Sequence, residues 1–199
     1  MKHLRVPLQR GEVESLQVGE MVLVSGEVTV TIGLPTHKRM VEHLDRGEPL
    51  PVNLKDGAFF HLSCFNRESA DDSGYEALYW NPTTSTRYNP YMPRLIEGCG
   101  LRLVGGKGGL DAASVEALRR QGCVYLSFLG GGCTLLSEAI RRVASVHWTD
   151  YIEQFRLLTL EVAELGPATV AIDAHGHSVY ERLQAQAAER LRAMRASAP

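Results

Sequence analysis

The sequence predicts an α/β domain, and three observations carry the prediction. Short runs of β-branched and apolar residues alternate with helix-period segments along the chain, the order from which parallel sheets with covering helices are built. Two strand-like runs, at 101–104 and 124–129, end in glycine clusters that lead toward helix-like segments, so one strand–glycine–helix unit occurs twice. The 199 residues suit one domain or a domain with a decorated edge.

The elements follow in order. Met21-Val22-Leu23-Val24 and Val28-Thr29-Val30-Thr31-Ile32 read as two strands meeting at Gly26. From Thr36, Met40, Val41 and Leu44 recur at helical spacing until Gly47, so a helix capped by Thr36 is expected, with Pro35 marking the turn before it. A strand is expected at 58–64, a long surface loop at 66–82 and a helix near 94–98. Residues 101–104 form a short strand, and 111–121 an amphipathic helix that buries Val115 and Leu118 and ends at Gly122. A strand at 124–129, a helix at 135–143 and strands at 157–162 and 169–172 follow. From Ser178 a helix runs nearly to the end, with Val179, Leu183, Ala187, Leu191 and Met194 on one stripe and its arginines on a solvated face.

Composition excludes several functions. Lys plus Arg number 21 against 23 Asp plus Glu, a formal charge of −2, which lacks the basic excess of a nucleic-acid or anionic-membrane surface. Cys64, Cys99, Cys123 and Cys133 form no CxxC pair and no Cys/His set at zinc spacing, so the chain itself is expected to bind no metal. The first residues lack an apolar signal core, and the apolar stretch at 124–136 is broken by Gly130-Gly131-Gly132. A cytoplasmic protein with reduced thiols and no membrane span is therefore expected. The nineteen glycines exceed an average of about 7% and point to tight turns or to backbone lying close to a ligand.

Three segments place glycine or proline beside polar groups after a strand or loop, where ligands bind in open α/β sheets. Pro82-Thr83-Thr84-Ser85-Thr86-Arg87 offers four hydroxyls and a guanidinium, a receptor for carboxylate or phosphate; a capped helix start with a surface arginine would look the same. Gly105-Gly106-Lys107-Gly108-Gly109 lets an anion approach the backbone beside a lysine, or is a plain strand-to-helix turn; its spacing is not that of a Walker P-loop. Asp173-Ala174-His175-Gly176-His177-Ser178 reads as a turn with satisfied imidazoles rather than a metal site, because no third ligand is evident. Together these residues describe a site for a small carboxylic acid or phosphate.

The segments, in this order, resemble the β subunit, or C-terminal half, of class I fumarate hydratases and tartrate dehydratases. Ser25-Gly26-Glu27-Val28, Thr36-His37-Lys38-Arg39, Gly47-Glu48-Pro49-Leu50-Pro51, the Pro82–Arg87 segment, the Gly105–Gly109 segment and Ile172-Asp173-Ala174-His175-Gly176 carry the likeness, which spans roughly residues 4–181. The resemblance implies a three-layered swivelling β/β/α domain like the mobile domain of aconitases, at 1–181, followed by a helical extension at 182–199. It implies an α subunit carrying a [4Fe-4S] cluster on its own cysteines, joined to this chain as αβ or α2β2. The reaction implied is reversible addition of water to the double bond of a small di- or tricarboxylic acid, with cluster iron as Lewis acid.

By the same resemblance, Thr83 stands near the carbon that loses its proton and is the expected general base. Thr84, Arg87 and Lys107 match substrate-contact positions, and His37 and Arg39 fall in a segment that shapes or binds the substrate. One departure bears on the substrate. Family members usually carry Arg-Asp shortly before the histidine, and the arginine grips a carboxylate, whereas Gly33-Leu34 stand here. Either Arg39 or Arg67 replaces the lost clamp, or the substrate is less charged at that end. A non-catalytic carboxylate-sensing or assembly module that keeps the swivelling fold is the alternative that this departure supports.

Overall fold

The computed structural model describes residues 1–69 and 74–196, the Cys133 side chain excepted. Its elements are β1 (Lys2–Arg5), α1 (Arg10–Glu14), β2 (Met21–Val30), α2 (Leu34–Arg46), β3 (Ala58–Phe60), β4 (Leu62–Glu68), β5 (Tyr75–Pro82), a 3-10 helix (Ser85–Tyr88), α3 (Met92–Cys99), β6 (Leu103–Gly106), α4 (Ala112–Gln121), β7 (Val124–Ser127), α5 (Cys133–Ser137), β8 (Ile140–His147), a second 3-10 helix (Glu153–Phe155), β9 (Leu157–Ile172) and α6 (Val179–Ala196). The mixed α/β class agrees with the sequence.

The main sheet has the order β1-β2-β3-β6-β7-β9-β8, and β2 also pairs with β9. The path β2–β3–β6–β7–β9 therefore returns to its start, with β1 and β8 as flanking strands. β2, β3, β6 and β7 run parallel, and Val30, Phe60, Gly105 and Leu126 sit at corresponding positions near their carboxyl ends.

Side-chain alternation along these strands creates two cores. Val28, Val30, Phe60, Leu103, Val124 and Leu126 face one cluster, which Leu8, Leu16, Trp80 and Leu160 complete. Their neighbours Phe59, Val104 and Tyr125 face the other, beneath Met40, Leu95, Ile96 and Leu118 of α2, α3 and α4. Strands buried on both faces read as continuous apolar runs, which is why these central strands were the easiest to find.

Several expectations are corrected. The two strands expected around Gly26 are one, β2, with register shifts at Val22/Val24 and Val24/Gly26. β9 likewise is one 16-residue strand, although Glu164-Leu165-Gly166-Pro167 interrupts its apolar pattern. The cap of α2 is Gly33, with Pro35 inside the first turn. Thr36 is buried and its hydroxyl donates to the Phe155 carbonyl instead. The expected strand at 58–64 divides into β3 and β4, and most of the expected loop at 66–82 is a hairpin of β4 with β5. Only Trp80 and Pro82 of β5 are buried, so it shows little alternation to read; part of that loop, 70–73, lies outside the described residues.

The helix expected at 135–143 is also absent. α5 stops at Ser137, and β8 begins at Ile140 because β9 offers it an edge. Local spacing of Leu136, Ala139, Ile140 and Val143 favours a helix, but long-range pairing overrides it. α4 matches its prediction, with Asp111 accepting the Ser114 amide at 3.0 Å and Gly122 left-handed at the end. α6 has no buried residue, and Leu183, Leu191 and Met194 of its apolar stripe are exposed. No helix among the described residues is long and apolar enough to cross a membrane.

Candidate active site

The parallel strands end along one edge, and the two most suggestive segments meet there. Lys107 follows β6, while Thr83 and Thr84 follow β5 and lead into the first 3-10 helix. The Lys107 amide donates to the Thr83 carbonyl at 2.9 Å, and the Ser85 amide donates to the Lys107 carbonyl at 2.8 Å. The Thr83 amide donates to the His61 carbonyl at 2.9 Å, and the His61 amide donates to the Gly105 carbonyl at 2.7 Å. Backbone bonds thus clasp the threonine loop onto the ends of β3 and β6.

Gly106 makes this approach possible. A Cβ there would strike the Ser85 hydroxyl and lie 3.1 Å from both the His61 Cβ and the Thr83 carbonyl oxygen. The glycine excess therefore has a local cause: at Gly106 a side chain would push the two loops apart.

Above the clasp, Thr83 and Thr84 are half-buried, and Arg87 and Lys107 are exposed. A Cβ on Gly130 would lie 3.7 Å from the Lys107 Cδ, so the lysine stem runs beside the glycine turn that follows β7. The structure shows no ion pair for Arg87 or Lys107 among the described residues. Lys107 and the threonine loop that carries Arg87 thus meet at the carboxyl ends of the parallel strands, and these side-chain types suit an anion. A carboxylate there would gain charge-assisted hydrogen bonds, about twice as strong as neutral ones.

Below the clasp lies a buried layer of rings. His61 Nδ1 is 2.8 Å from the Ser85 hydroxyl, which is 2.8 Å from the Tyr125 hydroxyl. Tyr180, at the start of α6, donates to the Ser127 hydroxyl at 3.1 Å, and its ring fills the space a Gly109 side chain would need. His37 stacks on Tyr88 at 4.1 Å and lies 5.2 Å from His61. Its Nδ1 carries the proton, donating to the Gly33 carbonyl at 2.6 Å, because a carbonyl can only accept. The Nε2 atoms of His37 and His61 are buried with no hydrogen-bond partner among the described residues.

His37 and Arg39 do not join the Thr83–Lys107 group. His37 is 0% exposed, so it shapes the floor of the site and presents no atom to a ligand; its place in the first turn of α2 points the ring inward onto Tyr88. Arg39 makes a bidentate pair with Asp150, at 3.0 and 2.7 Å, and lies 4.1 Å over the Tyr151 ring. Asp150 holds the guanidinium pKa above its ordinary value. Arg67 pairs with Glu76 on the hairpin at 3.1 Å. Both suggested replacements for a lost clamp already face carboxylates of this chain.

Burial, opposed in part by the Gly33 hydrogen bond, pushes His37 down to about 4. Burial, then the nearby His37, pushes His61 well down too. An unfolded chain takes up these protons first, near pH 6.5, so stability is full above that pH and falls as pH drops toward 4. For His37 alone the loss between pH 7 and pH 5 is about 2 kcal/mol. Urea titrations at the two pH values should show it, and His37→Phe should reduce the difference by about that amount, leaving the part that His61 contributes; an unchanged difference would refute this origin.

The Asp173 segment is a turn with satisfied imidazoles. Asp173 accepts the backbone amides of His175 and His177, each at 3.0 Å, and His177 Nδ1 at 2.9 Å. A cleft of about 680 Å³ opens beside it, but none of Thr83, Arg87 or Lys107 lines that cleft.

The three described thiols, Cys64, Cys99 and Cys123, are not arranged for a cluster. Among the described residues no three His, Cys, Asp or Glu groups converge at metal-binding distance. Burial pushes the Cys64 and Cys99 thiols up to about 12 and Cys123 higher, away from the thiolate form that iron requires. Cys64 and Cys123 also belong to different cores.

Sequence reasoning missed His61, Tyr125 and Tyr180. His61 had a usable signal, a polar residue directly after a buried apolar strand. Tyr125 had none, since a tyrosine within an apolar strand looks like core.

A family model described as Fumarase C-terminus matches residues 2–183. The L(+)-tartrate dehydratase subunit beta of Escherichia coli K12 is 30% identical over 189 residues, 95% of this chain and 91% of that protein. A Methanocaldococcus jannaschii protein that carries the same name provisionally is 30% identical over 185 residues, 92% of this chain and 93% of its own. A Geobacillus stearothermophilus protein provisionally named a class I fumarate hydratase is 29% identical over 189 residues, and there the match takes in 94% of this chain but 35% of the longer protein. With the match running from β1 into the start of α6 and including the Thr83–Arg87 and Lys107 loops, this chain belongs to the fumarase C-terminus family.

Proposed function

We propose that this chain is the β-type subunit of an iron–sulfur hydro-lyase acting on a small fumarate- or tartrate-like acid, with a less charged group at one end. The observation that carries the reading is the backbone clasp between the Lys107 loop and the Thr83–Arg87 loop at the ends of parallel strands, with both cations exposed. The names of the relatives, tartrate dehydratase subunit beta and class I fumarate hydratase, support the reaction class and a partner subunit. In this reading the domain swivels, the cytoplasmic complex is αβ or α2β2, and a [4Fe-4S] cluster sits on the α subunit, supplying Lewis acidity to the departing hydroxyl.

The residues of this chain bind, orient and move a proton. Arg87 presents a planar fork and Lys107 a point charge to a substrate carboxylate. Thr83, having first given its own hydroxyl proton to solvent, takes the proton from the adjacent carbon with its alkoxide as the C–H bond breaks, the double bond forms and hydroxide leaves. A threonine hydroxyl is a poor base, and the two neighbouring cations supply the field that lowers its pKa. Closure against the partner excludes water and strengthens each of these contacts. Gly33-Leu34 offer no charge to the second end of the substrate, which is why that end is read as less charged.

The test is anaerobic co-expression with a cluster-bearing subunit, assayed on fumarate, mesaconate and tartrate. The isolated chain should be colourless and inactive, and the complex brown and active on at least one acid. A complex with an intact cluster that turns over none of them would sink the reading. Calorimetric binding of such acids to the isolated chain would then favour a carboxylate sensor.

A further inference from the structure

We propose that His61, Ser85 and Tyr125 form a buried hydrogen-bonded relay that positions Thr83 and Thr84 against Lys107. This proposal rests on the hydro-lyase reading for its catalytic consequence, but not for its structural content. All three side chains are 0% exposed. They come from three separate places, the end of β3, the first 3-10 helix and the middle of β7, so the contacts form only when those elements are in register.

The relay is coupled to the site through backbone. His61 holds Ser85 with its ring and accepts the Thr83 amide with its carbonyl. Ser85 holds both rings with its hydroxyl while its own amide donates to the Lys107 carbonyl. The Ser85 hydroxyl occupies the space left by the missing Gly106 side chain, so it sits between the two loops that carry the cations. Removing one member leaves buried polar atoms without their present partners, and the loops shift to repair that.

His61 and Tyr125 make no contact with solvent, so neither can touch a substrate; they are positioning residues. The Tyr125 phenol is driven up by burial and the His61 imidazole is driven down. Both are neutral at neutral pH, and the bonds pass between neutral groups. Among the described residues the order Tyr125–Ser85–His61 ends on an Nε2 with no partner, so the relay stops there and reaches the site through the clasped backbone.

Two measurements test this, one independent of activity. Amide hydrogen exchange is followed on the full chain alone for wild type, Ser85→Ala, Tyr125→Phe, His61→Leu and His61→Asn. The Thr83, Lys107 and residue-85 amides should exchange at least roughly tenfold faster in Ser85→Ala and His61→Leu, while amides of the β2–β9 ladder stay at wild-type rates. His61→Asn, which keeps a hydrogen-bonding atom near the Nδ1 position, should restore most of the protection. Wild-type rates in Ser85→Ala, or equal acceleration in the β2–β9 ladder, would overturn the proposal.

In the assembled enzyme, Ser85→Ala should lower kcat by roughly 10- to 100-fold, the scale of a reacting group displaced by about 1 Å, with a smaller change in KM. Full kcat despite loosened amides would overturn the catalytic part. Were wild-type complex inactive on every acid, the hydro-lyase reading would fail, and exchange would still decide whether the relay positions the loops.

Discussion

Replacing Arg87 and Lys107 together by alanine is expected to lower kcat/KM of the assembled enzyme by about a thousandfold. Each cation is exposed and lacks an ion pair among the described residues, so removing either disturbs little of the fold. A charge-assisted hydrogen bond to a carboxylate contributes about 1.5–3 kcal/mol, or roughly 10- to 150-fold for each residue, and together about 4 kcal/mol. The fork geometry predicts a graded series. Arg87→Lys keeps charge but loses the bidentate contact, and should fall between wild type and Arg87→Ala. Thermal midpoints should stay near wild type throughout. Steady-state kinetics on the best acid is the measurement, and unaltered kcat/KM in the double variant would remove both residues from the site.

Gly33→Arg should destabilise the chain by about 4 kcal/mol, beyond the usual range of about 1–3 kcal/mol for overpacking. The position matters because an arginine near it would supply the second clamp a dicarboxylate wants. A Cβ on Gly33 would strike the Thr36 hydroxyl and lie 2.8 Å from the Phe155 Cβ and 3.0 Å from its Cα. Phe155 belongs to a 3-10 helix whose carbonyl is itself held by Thr36 and Thr31, so it cannot yield cheaply. Since the conflict begins at Cβ, Gly33→Ala should already show much of the loss. Differential scanning calorimetry of both variants decides it. A stable Gly33→Arg chain whose enzyme gains affinity for fumarate would show instead that this segment can yield.

The acid sensitivity and the relay share one cause. His37, His61, Tyr88 and Tyr125 form a ring layer sealed under the site. Its neutrality keeps it packed, and its packing fixes the threonine loop. Stability below pH 6.5 and loop order are therefore expected to decline together.

How much was legible follows from the range of the forces involved. α4 was readable because its cap, its apolar stripe and its closing glycine lie within twelve residues. The Pro82–Arg87 and Gly105–Gly109 segments stood out because glycine, hydroxyl and cation types cluster locally in each. The hairpin β4–β5 and strand β8 were not, because their strand character comes from partners: β5 is mostly exposed, and β8 acquires its strand form from β9. His37 was readable as a neighbour of the site but not as part of its buried floor, since burial depends on Tyr88, about fifty positions away.

By itself, then, the sequence determined the α/β class, the parallel central strands and the two glycine- and hydroxyl-rich segments that follow strand ends. These rest on short-range propensity, periodicity and composition. Only the tertiary structure decided that the two segments clasp each other, that Arg39 is taken by Asp150, and that Gly33 has no room for a side chain. It also brought His61, Ser85 and Tyr125 together. Each of those depends on contacts across 24 to 122 positions of chain, and such contacts exist only once the sheet has closed on itself.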